Sequence, residues 1–221
     1  MVRTHQENEN VRILLPLVGS TSEIVKVLEI LEEISEENNW KLPDFGIMVE
    51  VPSVVFQMDR ILDLVDFLSI GTNDLLNYLL GSDRFASENA DSVDFPDPVL
   101  FKYIKDVVDP AAADDIPVAV CGEMAANPIY TPVLMGLGLA ELSLAPMRMP
   151  EVKLVASDCD PERAREFARE ALQLSDRREL SGWVRSSLGP YVQKILHEYQ
   201  IPEESRRFDY FEQEEPNSRE G

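Results

Sequence analysis

Apolar and polar positions fall in blocks along this chain. Residues 11–18 are an apolar run stopped by Gly19-Ser20, the mark of a buried strand. Thr21 can then cap a helix in which Ile24, Val27, Leu28 and Leu31 recur at helical spacing. A second buried run, 45–51, reaches Glu50 and stops at Pro52-Ser53. A third, 65–70, breaks at Gly71 into Thr72-Asn73-Asp74, and a helical pattern resumes at Leu75. The fourth, 117–123, ends in Cys121-Gly122-Glu123, and a short fifth covers 140–145. Further helices are predicted over 98–109, from Ile129 to the Gly136-Leu137-Gly138 stop, over 151–156, and over 161–174 with Asp160 as cap and Pro161 at the first turn. One or two more should fill 180–200.

Strand and helix thus alternate, which is the pattern of βα units on a parallel sheet. A closed (β/α)8 barrel needs eight strands and about 250 residues, whereas five strands are read here. The alternatives are an open doubly wound sheet and an incomplete barrel. The polar stretch 1–10 is expected to be a disordered arm, and the charged stretch 201–221 a disordered acidic tail. The polar loop 85–97 is long for a compact domain and is expected to be functional or mobile.

Composition narrows the function classes. The chain carries 20 basic and 41 acidic residues, a net charge of -21. Such a surface repels phosphate backbones, so a nucleic-acid binder is excluded. No apolar run is long enough to span a membrane. Two distant cysteines, Cys121 and Cys159, fit a reducing cytoplasm. His5 and His197 are isolated, which argues against a histidine-based metal site or a Ser-His triad.

Chemistry concentrates at strand ends. In a parallel sheet all strand C-termini face one rim, where ligands bind. Glu50, Asn73-Asp74 and Cys121 should gather there. Two carboxylates from adjacent strands suit Mg²⁺, which takes few protein carboxylates and fills its shell with water and phosphate. Arg84, ten residues past Asp74, could fold back onto an anionic substrate. The plainer alternatives are solvated strand ends for Glu50 and Asp74, a surface ion pair for Arg84 and a core thiol for Cys121.

Four ordered motifs carry a resemblance: Gly46-Ile47-Met48-Val49-Glu50, Ser69-Ile70-Gly71-Thr72-Asn73-Asp74-Leu75, Ser82-Asp83-Arg84 and Cys121-Gly122-Glu123-Met124-Ala125. Together they resemble the C-terminal barrel of the phosphoenolpyruvate-utilising enzymes, most closely the phosphoenolpyruvate–protein phosphotransferases (enzyme I). Tyr78-Leu79-Leu80 is similar to the nitrogen-related branch. Pyruvate phosphate dikinase and phosphoenolpyruvate synthase share Asn73-Asp74 and Cys121-Gly122, but fit the surrounding residues less well. The resemblance implies an incomplete TIM-type barrel over residues 11–200, about five βα units with the first three strands absent, followed by C-terminal helices. It implies Glu50 and Asp74 as Mg²⁺ ligands, Asn73, Asp74 and Arg84 as the phosphoenolpyruvate contacts, and Cys121 as the acid that protonates the enolate to pyruvate.

Departures from the family are also visible. No counterpart of the phosphohistidine domain is present, and Arg3 and Arg12 do not match the family's substrate arginines. Asp97-Pro98 replaces the usual His-Pro, and Ala126-Asn127 the usual Gly-Asp. The expectation is a C-terminal part that needs a phosphohistidine-carrying protein or domain, inactive alone, forming a homodimer or a complex with the absent barrel half. The rival expectation is a non-catalytic partner module.

Overall fold

The computed structural model describes residues 1–8, 10–81 and 96–199. Arg84, most of the 85–97 loop and the tail 201–221 lie outside the described residues.

Five parallel strands are hydrogen-bonded in chain order: β1 Ile13–Leu15, β2 Phe45–Val49, β3 Phe67–Gly71, β4 Val118–Cys121 and β5 Glu141–Ser143. Helix α2, Thr21–Asn38, joins β1 to β2, and the short α3, Met58–Ile61, joins β2 to β3. Between β3 and β4 run α4, Thr72–Leu80, and α5, Val99–Ala113. Between β4 and β5 run α6, Glu123–Ala126, and α7, Thr131–Gly136.

Register sorts the strand residues into two faces. Ile47, Leu68 and Val118 align across three strands, as do Val49, Ile70 and Val120. All six are 0–3% exposed, which marks the face covered by helices. The opposite face carries the rows Met48–Ser69–Ala119–Glu141 and Gly71–Cys121–Ser143.

The sheet is wound in one direction and strongly curved. A doubly wound sheet reverses its strand order at a switch point; here β1 to β5 follow without reversal. Four steps of about 4.8 Å would put β1 and β5 about 19 Å apart in a flat sheet. Yet Arg12, just before β1, and Glu141, the first residue of β5, form an ion pair at 4.0 Å. The two side chains can meet only if the outer strands curl toward each other. The Arg12 guanidinium also lies over the Phe67 ring, 5.2 Å from its centre, at the N-terminal end of the curled face. Of the two folds open to the sequence, this is the barrel-type arc of βα units.

After β5, four helices form an outer layer: α8 Met149–Asp158, α9 Pro161–Ala171, α10 Arg177–Trp183 and α11 Gly189–Glu198. Asp160 caps α9 as expected, accepting from the Arg163 N–H at 2.9 Å. Phe167 of α9 packs edge-on against Trp183 and Tyr191. Close approach of α7 to α9 requires Gly136, because a Cβ there would stand 1.9 Å from the Ala164 carbonyl oxygen.

Several boundaries differ from expectation: β1 stops at Leu15, short of the expected run to Val18, and two differences go further. The supposed disordered arm contains a helix, α1, Val2–Glu7, with Val2 and His5 buried. Gln6 fastens it by exchanging hydrogen bonds with the backbone of Lys41, at 2.7 and 3.1 Å. Helix α5 runs past the expected stop and includes Pro110. An internal proline costs a helix about 3 kcal/mol or more. Here the apolar stripe Phe101, Ile104, Val107, Val108 and Ala111, all buried, continues through it and outweighs that cost.

Candidate functional site

Each of three adjacent strands ends in a polar group on the concave face. Val49 pairs with Ile70, so Glu50 falls level with Gly71, which pairs with Cys121. The sequence-predicted residues Glu50, Asn73, Asp74 and Cys121 therefore share one rim. Arg84 lies outside the described residues.

Glu50 is 4% exposed. Its Oε1 accepts the Leu17 N–H at 2.7 Å, from the loop after β1. Its Oε2 borders Gly71, where a Cβ would come within 3.0 Å of it. Glycine at 71 thus lets the Glu50 and Met48 side chains pack against β3, where a Cβ would stand 3.1 Å from Met48 Sδ.

Asn73 and Asp74 occupy the first turn of α4, directly after Gly71. Helix N-termini present unpaired N–H groups and positive potential, so this turn favours anions. The turn is locked to its neighbour. Thr72 Oγ1 donates to the Cys121 carbonyl at 2.9 Å, and Asn73 Oδ1 accepts the Glu123 N–H at 3.1 Å. The second bond fixes the amide orientation: with Oδ1 committed to a backbone donor, the Asn73 NH₂ is the end left to meet another acceptor. Both bonds pass Gly122, whose φ of 99° and ψ of -171° suit glycine almost alone.

Cys121 is half-buried, and its thiol donates to the Ile70 carbonyl at 3.4 Å. The buried Ser69 hydroxyl donates to its sulfur at 3.7 Å. Burial pushes the thiol above its ordinary pKa; the Ser69 bond opposes the rise and the charge of Glu50 adds to it. The thiol stays protonated at neutral pH and holds a proton at a carboxylate-lined rim.

Among the described residues no three His, Cys, Asp or Glu side chains cluster as a metal cage. Mg²⁺ does not need one, since one or two carboxylates, water and phosphate oxygens complete its octahedron. A buried carboxylate with one oxygen tied back, on the same rim as the helix turn that carries Asp74, has the donor chemistry such a cation takes.

The model of the PEP-binding domain of PEP-utilising enzymes matches residues 1–160. The chain belongs to that family. Relatives extend the match. A phosphoenolpyruvate-protein phosphotransferase of Haloferax volcanii is 35% identical over 180 residues, 79% of this chain and 32% of that protein. One from Mycoplasma genitalium is 34% identical over 168 residues, 75% of this chain and 29% of its own length. A Salmonella typhimurium protein named for the phosphoenolpyruvate-dependent phosphotransferase system is 31% identical over 207 residues, 85% of this chain and 28% of its own. This PEP-binding domain chain spans about a third of the length of the curated relatives it matches.

Several supporting groups escaped the sequence reading. Leu17 gives no local signal, because its contact with Glu50 is made across the fold. Gly71 and Gly122 were visible as breaks, but their role in leaving room for Glu50 and the Asn73 turn was not. Among the described residues no helix is long and apolar enough to cross a membrane.

Proposed function

We propose that this chain is the phosphoenolpyruvate-binding part of a phosphoenolpyruvate–protein phosphotransferase, working in a reducing cytoplasm. The observation that carries the proposal is the single row Glu50–Gly71–Cys121, with Asn73 and Asp74 on the adjoining turn. Carboxylates that would bind a cation, an amide donor and a protonated thiol on one rim match the groups of phosphoenolpyruvate and support the reading.

In this reading Glu50 and Asp74 hold Mg²⁺, which neutralises phosphate charge when bound. The Asn73 NH₂ and the α4 N-terminus orient the substrate's anionic oxygens. Arg84 joins them as the phosphate clamp. Phosphoryl transfer is mainly positioning and charge stabilisation. The P–O bond to the enol oxygen breaks as an N–P bond forms on a histidine of a partner protein or domain. The enolate left behind takes the Cys121 proton at C3 to give pyruvate, and the thiolate is reprotonated from solvent. A thiol whose pKa is raised is the right form to deliver that proton.

A second reading is a non-catalytic partner module. It is favoured by a cleft of about 410 Å³ along the free edge of β5, lined by Leu139, Leu142, Leu144, Met149 and Val152 among others. The experiment separating them adds the segments that the relatives have beyond this match, as a second chain. Mg²⁺-dependent release of pyruvate from phosphoenolpyruvate, lost in Cys121→Ala, supports the enzyme. A stable complex with no turnover in any combination supports the module instead.

A further inference from the structure

Leu17 is one of three non-glycine residues with positive φ among those described, at 55°. Leucine adopts this left-handed conformation only at a cost. Packing does not repay it, since the Leu17 side chain is 59% exposed. What the conformation does achieve is to turn the Leu17 N–H onto Glu50 Oε1 at 2.7 Å. An energetically unfavourable backbone whose one product is a hydrogen bond to a buried carboxylate points to function rather than to folding.

The turn is held from its far side by Gln57, which also donates to the Ser53 carbonyl at 3.3 Å. Gln57, in the 3₁₀ turn after β2, donates to the Gly19 carbonyl at 3.1 Å and accepts the Thr21 N–H at 3.2 Å. Ser53 adds a bond to the same Gly19 carbonyl at 2.9 Å. Val18, at 1% exposed, anchors the segment between them. The loop after β1 is thus clamped to the loop after β2, the strand that delivers Glu50.

We propose that Gln57 and the left-handed turn at Leu17 are a positioning device for Glu50. The Leu17 N–H engages Oε1, and Gln57 holds the turn that presents it, which leaves Oε2, beside Gly71, as the oxygen a cation would use. The inference rests on the reading of Glu50 as a metal ligand and deepens it. Groups that orient a metal ligand from behind commonly alter metal affinity by 10–100-fold when removed.

The test titrates Mn²⁺ into the full chain and follows water-proton relaxation. Replacing Leu17 by its α-hydroxy acid exchanges one amide for an ester and removes only the N–H donor. That variant and Gln57→Ala should each weaken Mn²⁺ binding about 10-fold or more. Phe56→Ala, a neighbouring change at an exposed side chain, should leave affinity unchanged. In ¹H–¹⁵N spectra the Leu17 amide proton should lie downfield and move in Glu50→Gln, which reports the bond itself, while the Mn²⁺ affinity reports its role. The ester keeps every side chain, so it decides the matter even where Gln57→Ala unfolds. Wild-type affinity in the ester variant, together with loss of binding in Glu50→Gln, overturns the positioning role alone. Unchanged binding in Glu50→Gln, or no saturable binding by the wild type, overturns the metal-ligand reading and this inference with it.

Discussion

Replacing Gly122 by alanine should damage the rim by crowding the turn that carries Asn73. The backbone there, φ 99° and ψ -171°, is a region that side-chain-bearing residues enter at about 1–3 kcal/mol. The new methyl would also stand 2.5 Å from Thr72 Oγ1 and 2.8 Å from Asn73 Oδ1. Both oxygens are engaged, one donating to the Cys121 carbonyl and the other accepting the Glu123 N–H. Either the methyl or the two hydrogen bonds must give way, and each bond contributes about 0.5–1.5 kcal/mol net. The combined loss is about 2–6 kcal/mol, which for a chain of this size lowers the melting temperature by roughly 4–24 °C. Gly81→Ala is the comparison: its φ is 60°, but a Cβ there meets nothing within 4 Å. It should cost about 1–2 kcal/mol from backbone alone. Thermal unfolding followed by circular dichroism measures both. If Gly122→Ala melts no lower than Gly81→Ala, the locked pair of turns is not the source of rigidity argued above.

Gly136→Ala should be more damaging still, because its Cβ would overlap the Ala164 backbone at 1.9 Å and drive α7 from α9; urea unfolding should show a loss of about 3 kcal/mol or more. Stability should also fall at alkaline pH. Burial, opposed by the Val55 amide and aided by Asp106, raises Tyr103 to about 12, and burial raises Tyr130 further. The folded state keeps these protons where the unfolded chain, near pKa 10, releases them. Their contribution is therefore complete below about pH 10 and disappears as pH climbs through about 12. Melting temperatures measured from pH 7 to 11 should decline most at the upper end, and Tyr103→Phe should flatten that decline.

The ends of β2, β3 and β4 were legible because each apolar run stops at a residue that cannot continue it: Pro52, Gly71 and Gly122. That punctuation puts Glu50 and Cys121 at strand ends and Asp74 in the turn that follows one. Choosing a barrel-type arc over an open sheet needed strand order and the Arg12–Glu141 contact, which depend on curvature and not on local pattern. Helix α1 was missed because its only apolar anchor is Val2, and its stability comes from Gln6 reaching Lys41, 35 residues away. The turn at Leu17 was invisible for the same reason. Leucine has no preference for positive φ, and the group that stabilises it lies 33 residues on, at Glu50. Short α6 was hidden by Gly122, which reads as an end but is the N-terminal flank of the next helix.

The central claim is that Glu50 and Asp74 hold a cation where Asn73 and Cys121 meet phosphoenolpyruvate. The ³¹P resonance of phosphoenolpyruvate, recorded with the chain and a trace of Mn²⁺, tests it directly. Broadening beyond that caused by free Mn²⁺, abolished in Glu50→Gln and in Asp74→Asn, is the predicted result. Broadening that persists unchanged in both variants would contradict the account.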